Sequence, residues 1–384
     1  MNYRQFGRLD WRVSALGFGC MRLPTNGGNE AINEAEAAKM LHYAIEHGVN
    51  YIDTAYPYHE GNSEPFLGRA LQDGYRKKVR LATKLPSWEI EQRADFDKYL
   101  NEQLARLQTE QIDFYLLHSL RQSYWDKLQE LDVLEWAERA KADGRIRYLG
   151  FSFHDDYEVF KEIVDAYDWT FCQIQYNYMD IENQAGTKGL KYASDRGLAI
   201  VIMEPLLGGR LVDPPEPVQE IWREAPNART SADWALQWLW NQPEVSVVLS
   251  GMSTMEHVEE NVASASTSSV GILTEEELAI VDRVRQAYDK LCPIPCTQCN
   301  YCIPCPHGVD IPRNLDIYNQ CAMYDKPAAA RRSYTFLEEE DRANACVACL
   351  ECEDKCPQNI PISDWMVHVH EVLAEDAPYV CEID

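Results

Sequence analysis

Short apolar segments alternate with longer, helix-patterned segments along the first 266 residues. Eight of the apolar segments have the length of buried strands: Ser14–Cys20, Val49–Ala55, Val79–Leu85, Ile112–His118, Ile146–Phe153, Phe171–Tyr176, Leu198–Met203 and Val245–Leu249. The segments between them include helical patterns at Glu34–His47, Asp95–Leu107 and Thr230–Trp240. Eight buried strands, each followed by a helix, are typical of a (β/α)8 TIM barrel. The pattern therefore predicts an α/β fold of this class.

The alternative is a doubly wound sheet that binds a dinucleotide. It is disfavoured because Gly17-Phe18-Gly19 is not followed by the third glycine of a dinucleotide fingerprint. Before the first barrel strand, Tyr3–Phe6 and Trp11–Val13 flank a polar turn. We expect these two segments to form a hairpin that closes the barrel floor.

Chemistry in such a barrel is located where the strands end, on the C-terminal face. Asp53, Lys84 and His118 end or follow three of the predicted strands, and Tyr58 comes five residues after Asp53. Each has an ordinary structural explanation when taken alone, such as a turn cap or a rim charge. Together they predict an acid–base site, in which a neighbouring ammonium would lower the pKa of the phenol.

Two cysteine runs lie in the last ninety residues. They read Cys296-x2-Cys299-x2-Cys302-x2-Cys305 and Cys346-x2-Cys349-x2-Cys352-x3-Cys356, and a proline follows each. Four closely spaced thiolates closed by a proline favour a 4Fe-4S cluster, because iron in such clusters prefers tetrahedral thiolate ligation. Structural zinc is the alternative, but it typically uses separated Cys-x2-Cys pairs or mixed Cys/His sets. The runs therefore predict two 4Fe-4S clusters.

Two adjacent runs also allow crossed ligation, in which each cluster takes three cysteines from one run and the last cysteine of the other. The sets would be Cys296, Cys299, Cys302 and Cys356 for one cluster, and Cys346, Cys349, Cys352 and Cys305 for the other. The first run is one residue shorter than the usual spacing before Cys305. We therefore expect Cys305 to be the weakest ligand.

The start and the end of one predicted helix indicate where the barrel domain and the cluster domain divide. Thr274–Glu277 has the form of a capping box, and Pro293 and Pro295 follow the helix that it opens. This predicts a barrel domain over residues 1–285 and a cluster domain over 286–384. Helical composition at Leu315–Met323 and Arg331–Glu340 indicates that the second domain is small and mostly α-helical, and we expect it to fold only with its metal.

The formal net charge of −26 excludes nucleic acid and anionic membrane surfaces as favoured partners. From residue 291 onward, 6 Lys and Arg stand against 16 Asp and Glu. This acidity is explained either by ordinary solubilisation or by docking of a basic redox partner protein. The chain has neither an N-terminal signal-peptide core nor a membrane-spanning apolar stretch, and its clustered cysteines suit metal rather than disulfides. We therefore expect a cytoplasmic location.

Several motifs resemble those of the aldo-keto reductases. They are Tyr51–Tyr58, Gly61–Glu64, Ala82–Lys84, Asp113–His118, Gly144–Ser152, Gln173–Asn177 and Glu260–Asn261. The resemblance implies a catalytic tetrad in which Tyr58 protonates a carbonyl oxygen, the Lys84–Asp53 pair assists Tyr58, and His118 positions the carbonyl. It also implies that NAD(P)H binds across the barrel rim and that the substrate is a small carbonyl compound.

The same resemblance implies a set of residues that bind the cofactor: Gly19, Cys20, Asp53, Ser152, Gln173, Met203, Pro205, Leu206, Gly251, His257, Glu260 and Asn261. Four positions depart from common family patterns. Met203 replaces an aromatic residue that stacks on nicotinamide, and Phe153 replaces an asparagine. Gly251 and His257 stand where phosphate-binding cations are frequent, so the preference between NADH and NADPH is left open.

A barrel followed by a helical module with eight clustered cysteines resembles the iron–sulfur branch of this family. Three functions are compatible with that resemblance: a carbonyl reductase whose clusters exchange electrons with a partner, a carbonyl reductase whose clusters are structural or oxygen-sensing, and a binding protein on a reductase scaffold. The complete tetrad argues against the third. Five residues after strand ends are candidates for an apolar substrate pocket: Trp88, Tyr124, Trp125, Phe153 and His154.

Overall fold

The computed structural model describes residues 1–296, 298, 300–356 and 358–382. The chain forms two compact units. The first contains Met1–Gly208 and Ala232–Thr274, and the second contains Gly209–Ser231 and Glu275–Asp384. The division of the sequence into domains between residues 285 and 286 stays a prediction.

The first unit is built around a closed parallel barrel that a small hairpin precedes. The hairpin pairs β1 (Tyr3–Gln5) with β2 (Arg12–Ser14) in antiparallel fashion. The barrel strands are β3 (Leu16–Gly19), β4 (Tyr51–Asp53), β5 (Arg80–Leu85), β6 (Ile112–Leu120), β7 (Ile146–Phe153), β8 (Phe171–Gln175), β9 (Ala199–Met203) and β10 (Val245–Ser250). Each strand pairs with the next in parallel, and β10 closes the barrel by pairing with β3. The predicted (β/α)8 barrel is confirmed.

The hairpin closes the N-terminal end of the barrel, as predicted. Phe6 inserts its ring between Phe114 and Phe171, with ring centres 4.7 and 5.7 Å away. The turn lies so close beneath β9 that a Cβ at Gly7 would be 2.5 Å from the Ala199 nitrogen. With its φ of +52°, Gly7 is a position that only glycine occupies without strain.

The α-helices of the described ranges follow in chain order. They are α1 (Glu34–Glu46), α2 (Ser63–Ala70), α3 (Arg93–Arg106), α4 (Gln122–Glu130), α5 (Val133–Ala142), α6 (Tyr157–Ala166), α7 (Gly186–Asp195), α8 (Glu216–Arg223), α9 (Ser231–Trp240), α10 (Met255–Thr267), α11 (Glu275–Lys290), α12 (Ile311–Tyr324), α13 (Pro327–Thr335) and α14 (Ile362–Ala374). None of them combines the length and the apolar composition that crossing a bilayer requires.

One helix ends earlier in the structure than the sequence predicts. Residues Arg331–Glu340 have helical composition, but α13 ends at Thr335. The Arg342 guanidinium donates hydrogen bonds to the carbonyls of Thr335 and Leu337, which satisfies backbone acceptors that a helix end leaves open. The acidic residues that follow form only a 3-10 turn at Glu339–Asp341.

The second unit has a hydrophobic core of its own. Helices α12 and α14 pack together, and the rings of Tyr318 and Trp365 meet edge to face with centres 5.3 Å apart. Ile311, Leu315 and Met366 are buried beside them. The sequence led us to expect that this part of the chain folds only with its metal, but the helices between and after the cysteine runs supply an apolar core as well.

The segment Gly209–Ser231, which follows β9 in sequence, belongs to the second unit. Ion pairs hold it there: Asp213 with Lys326 at 3.0 Å, and Glu224 with Arg283 at 2.7 Å. Helix α8 lies in this segment and packs on α11. Sequence periodicity did not indicate that a connection between two barrel strands would fold with the cysteine-bearing part of the chain.

Candidate functional site

An ion pair is buried at the C-terminal ends of β4 and β5. Lys84 Nζ donates to Asp53 Oδ1 at 2.7 Å and to the Thr54 carbonyl at 2.8 Å. Both charged side chains are almost completely buried. Because a buried ammonium is costly unless it is paired, the strands fix this lysine in one position.

Tyr58 and His118 complete this cluster. The ammonium nitrogen of Lys84 lies 3.5 Å from the Tyr58 hydroxyl. The rings of Tyr58 and His118 are 6.3 Å apart and nearly perpendicular. The structure thus brings together the four residues that the sequence placed at strand ends, from β4, the loop after it, β5 and β6.

The electrostatics of the cluster favour a protonated phenol beside a charged lysine. Burial opposes the charge of Lys84, but Asp53 and Tyr58 outweigh it and raise the lysine pKa. Burial raises the pKa of Tyr58, and the Lys84 ammonium offsets this only in part. The expectation of a lowered phenol pKa is therefore wrong for this structure, because desolvation of the phenolate is the larger effect. Burial, reinforced by the charge of Lys84, lowers the pKa of His118 well below its usual value, so its imidazole is neutral.

A second layer of polar contacts fixes the backbone that carries Lys84. The buried Glu64 carboxylate accepts hydrogen bonds from Thr83 Oγ1 at 2.6 Å and from Gln103 Nε2 at 2.7 Å. Gln103 Nε2 also lies 3.0 Å from the Lys84 carbonyl. The network locks β5 against α2 and α3, so that Lys84 has little freedom to leave the phenol.

His59 is a buried residue that sequence reasoning missed. Its Nε2 accepts a hydrogen bond from the Leu23 amide at 3.1 Å, and its Nδ1 donates to the Asn29 carbonyl at 2.7 Å. These bonds require a neutral imidazole and tie the loop after β3 to the residue next to Tyr58. The sequence signal that could have revealed His59 is its position directly after Tyr58, the candidate general acid.

Three residues that the resemblance implies for the nicotinamide lie in β7, β8 and β9: Ser152 and Gln173 for its carboxamide, and Met203 for its ring. Gln173 Oε1 is buried without a hydrogen-bond partner among the described residues, and its Nε2 lies 3.7 Å from Met203 Sδ. Ser152 Oγ accepts from the Ser119 amide at 2.7 Å and retains its own hydroxyl proton for donation. An unpaired acceptor beside a free donor suits a primary carboxamide.

The positions expected to line the cofactor differ in exposure. Cys20 is buried just after β3, where its amide donates to the Asp53 carbonyl at 2.8 Å. Burial raises the pKa of its thiol, which is therefore uncharged. Gly19 is buried in β3, Pro205 is buried after β9, and Leu206 is half-buried.

The positions expected near the adenosine end lie on and before α10. Asn261 is buried and donates to Ser250 Oγ at 3.0 Å, whereas Glu260 and His257 are exposed. A cation that the sequence did not single out lies at this place. Arg22 packs on Gly251, since a Cβ there would be 3.2 Å from its Cδ, and its guanidinium is 3.9 Å from Glu204.

The candidate pocket residues separate into two groups. Trp125 and Phe153 are fully buried in the hydrophobic core, so they pack the barrel and do not line a pocket. Trp88 is half-buried with its ring centre 5.1 Å from that of His118. Tyr124 is half-buried and His154 is exposed on the same side of the barrel.

In the second unit, described cysteines of both runs line two cavities. The first cavity, of about 410 Å³, is lined by Cys302, Cys305, Cys346, Cys349 and Cys352. The second, of about 340 Å³, is lined by Cys296, Cys302 and Cys356. Cys305 thus joins the cysteines of the second run, and Cys356 joins those of the first. Crossed ligation requires this exchange.

The predicted ligand Cys299 lies outside the described residues. Over the described ranges, no group of three or more His, Cys, Asp or Glu side chains has an arrangement that would hold a single metal ion. The thiol-lined cavities nevertheless match iron–sulfur chemistry in donor type, because each brings several soft sulfur ligands to one space.

Comparisons with known proteins agree with this geometry. Residues 15–286 match the model of the aldo/keto reductase family, which is more than two thirds of the chain. The chain belongs to the aldo/keto reductase family. In this aldo/keto reductase, residues 295–360 also match the model of a 4Fe-4S dicluster domain. The barrel of the enzyme family is therefore followed by an iron–sulfur domain, and the chain is an oxidoreductase.

Two curated relatives each match about three quarters of this chain. The uncharacterized oxidoreductase YqkF of Bacillus subtilis (strain 168) is 29% identical over 309 residues, which are 72% of this chain and 94% of YqkF. L-galactose dehydrogenase of Arabidopsis thaliana is 26% identical and covers 75% of this chain and 95% of its own.

Among solved structures, the holo form of the aldo-keto reductase AKR11C1 from Bacillus halodurans is 30% identical, with a TM-score of 0.62, covering 74% of this chain and 96% of its own. An aldo-keto reductase from Klebsiella pneumoniae in complex with NADPH is 26% identical, with a TM-score of 0.61 and the same coverage.

Proposed function

We propose that this aldo/keto reductase reduces the carbonyl group of a small molecule, with Tyr58 as the general acid. The observation that carries this proposal is the buried Lys84–Asp53 ion pair, whose ammonium lies 3.5 Å from the Tyr58 hydroxyl. A protonated phenol can give its proton to the carbonyl oxygen, and the adjacent ammonium stabilises the phenolate that remains. His118 is neutral and buried, with Nδ1 unpaired among the described residues, so it can orient the same oxygen.

The cofactor that suits this site is a nicotinamide nucleotide. When bound, NAD(P)H would supply the hydride that the carbonyl carbon receives. Gln173 Oε1 and Ser152 Oγ offer an acceptor and a donor for the carboxamide, and Met203 offers an apolar contact for the ring. The Klebsiella pneumoniae relative was solved with NADPH, which supports the class of cofactor and leaves the choice between NADH and NADPH to experiment.

We also propose that the second unit binds two 4Fe-4S clusters with the crossed ligand sets, and that the clusters exchange electrons with a partner protein. When loaded, such clusters carry single electrons. Cys349 is exposed, and its neighbours Val347 and Leu350 expose 58% and 50% of their surface. Exposed apolar residues beside a ligand in an acidic unit suit brief docking of a basic redox protein. Purely structural or oxygen-sensing clusters would not need this exposed surface.

The first prediction tests the role of Tyr58 as the general acid. Tyr58→Phe is expected to lower kcat for aldehyde reduction by about 10²–10⁴-fold, because only the phenol delivers the proton. The dissociation constant of the nicotinamide nucleotide should change less than about threefold, since the hydroxyl is not needed to hold the cofactor. Stopped-flow turnover and fluorescence titration of the anaerobically purified protein measure the two quantities.

Tyr56→Phe is the matched control. Tyr56 lies in the same loop, and its hydroxyl points toward Glu102 at 3.5 Å instead of toward Lys84. Turnover of Tyr56→Phe should stay near that of the wild type. Near-wild-type turnover by Tyr58→Phe on an accepted substrate would disprove the assignment of the acid.

A further inference from the structure

Two cations flank one tyrosine at the catalytic end of the barrel. Arg121 directly follows β6, three residues after His118, and Lys127 lies in α4. Arg121 Nη2 is 2.8 Å from the Tyr124 hydroxyl, and its guanidinium carbon is 4.3 Å from the centre of that ring. Lys127 Nζ lies 5.4 Å from the same ring centre. Arg121 and Lys127 therefore place two positive charges beside the Tyr124 ring, on one part of the barrel rim.

Neither cation is neutralised within the described part of the chain. Arg121 and Lys127 have no carboxylate within 4 Å there, although the chain has 62 acidic and only 36 basic residues. Two carboxylates in this region, Asp126 and Asp155, accept hydrogen bonds from the side-chain amide and the backbone amide of Gln122. Both charges are therefore available to an anion at this part of the rim.

The cations adjoin the candidate active site through Trp88. Lys127 Nζ lies 3.5 Å from the Trp88 carbonyl, and the Trp88 ring stands 5.1 Å from the ring of His118. Tyr58 is the next ring, 6.3 Å from His118. A substrate whose carbonyl group lies at Tyr58 and His118 and whose chain passes Trp88 would point its far end toward Lys127.

We infer that the substrate is a carbonyl compound with an anionic oxygen group at its far end, bound by Arg121 and Lys127. This inference rests on the proposed carbonyl reduction and adds the class of substrate. A guanidinium binds carboxylate and phosphate with paired hydrogen bonds, and an ammonium adds a point charge. Stacking on Tyr124 keeps both cations in place without consuming their charge.

The test compares aromatic aldehydes that share one ring and differ mainly in the charge of the para substituent. The anaerobically purified holoenzyme is assayed with 4-carboxybenzaldehyde, its methyl ester and 4-formylphenyl phosphate. The double variant Arg121→Gln/Lys127→Gln should lower kcat/KM for the anionic aldehydes by about tenfold or more, mainly through KM, and leave the ester almost unchanged. A loss confined to one of the two anions identifies which of them the site accepts.

Lys78→Gln is the matched control. Lys78 stands 4.5 Å from the ring centre of Tyr75 and has no carboxylate partner within the described ranges, but it lies just before β5, at the opposite end of the barrel. It should leave all three substrates unchanged. Equal effects of the double variant on the acid and the ester, or a wild type without preference for the anions, would overturn the inference.

Failure of the proposed carbonyl reduction would give a different result from failure of the anion site. If the holoenzyme reduces none of the three aldehydes, calorimetric titration with benzoate and with phenyl phosphate still tests the anion site. Binding of either anion that the double variant loses and Lys78→Gln keeps would support the site. Binding of neither, or binding that the double variant retains, would contradict it.

Discussion

For two residues in the candidate site, Tyr58 and His118, burial shifts the pKa more than the neighbouring charges do. Desolvation raises the pKa of Tyr58 although an ammonium lies beside it, and it lowers the pKa of His118. Both effects keep the side chain neutral at neutral pH. A neutral phenol can donate a proton and a neutral imidazole can orient an oxygen, so burial suits both residues to reduction of a carbonyl.

The neutrality of His118 has a consequence for stability. Because its pKa is lower in the folded protein than the usual 6.5 of an unfolded chain, acid favours the unfolded state, which takes up the proton. Stability that is complete above about pH 6.5 should therefore fall as the pH drops below it. His118→Gln cannot take up that proton. Below pH 6.5 the wild type should lose about 1.4 kcal/mol per pH unit more than the variant.

Guanidinium unfolding followed by tryptophan fluorescence at pH 8, 6.5 and 5.5 measures this difference. Equal losses of unfolding free energy in the two proteins would show that His118 is not held neutral. His42→Gln is a suitable control, since His42 lies on the surface helix α1 and its Nε2 bonds to the Ala70 carbonyl outside the cluster.

At the scale of elements, closure of the barrel decides which loops meet. Ser250 of β10 pairs with Phe18 of β3, so the loops after the first and last barrel strands are neighbours. This pairing explains why Arg22 lies over Gly251, a position 229 residues away in sequence. Arg22 thus supplies a cation next to Gly251, which has no side chain of its own. Glu204 lies 3.9 Å from the Arg22 guanidinium.

This arrangement bears on the choice of nucleotide. Gly251 has no side chain and His257 is exposed with Nδ1 3.4 Å from Ser253 Oγ, so no fixed cation besides Arg22 is evident near this loop within the described residues. We expect the dissociation constants of NADPH and NADH to differ by less than about a hundredfold. Gly251→Lys should then favour NADPH by about tenfold or more, and Gly251→Gln, of similar length and no charge, should not.

Fluorescence titration with both nucleotides measures these ratios. A side chain at 251 would press on the Cβ, Cγ and Cδ atoms of the half-exposed Arg22 in both variants, so Gly251→Gln also controls for that contact. If the wild type binds NADPH more than a hundredfold better than NADH, then Arg22 or another cation reaches the 2′-phosphate. Arg22→Ala would abolish that preference if Arg22 is the cation responsible.

At the scale of the whole molecule, a two-electron site and a pair of thiol-lined cavities belong to different compact units of one chain. Each unit has its own hydrophobic core. The segment Gly209–Ser231 comes directly after the loop that carries Pro205 and Leu206, and yet it folds with the cysteine-bearing unit. Chain continuity therefore connects the candidate cofactor loop to the second unit.

The anaerobically purified protein should contain about eight irons and eight sulfides per chain. Cys305→Ser should damage the cluster of the second run, and Cys356→Ser that of the first, because each thiol lines the cavity of the other run. Iron analysis and electron paramagnetic resonance of the two variants measure this. Zinc, or only four irons in a fully loaded sample, would contradict the proposal of two clusters.

Removal of the clusters should loosen the cysteine runs without unfolding the helices of the second unit. Helices α12 and α14 share a buried core that includes Tyr318 and Trp365, neither of which lines the thiol-lined cavities. Limited proteolysis of the apoprotein should therefore cut near the runs and spare both helices. Complete digestion beyond Pro293 would restore the view that folding depends on metal.

The sequence by itself was sufficient for features that depend on local order. Strand and helix periods are repeated along the chain, and cysteine spacing is a property of a few consecutive residues. The barrel, the dicluster module and the strand-end residues Asp53, Lys84 and His118 could be predicted for that reason. The end of α13 could not be predicted, because it depends on where the side chain of Arg342 places its donors.

Only the tertiary structure decided which distant groups meet and how far each is from water. It brought Arg22 to Gly251 through the pairing of β10 with β3 and joined Gly209–Ser231 to the second unit. It also set the direction of the Tyr58 pKa, since sequence reveals a nearby ammonium but not the extent of burial. Desolvation and contacts between remote segments arise only when the chain is packed, so no local pattern records them.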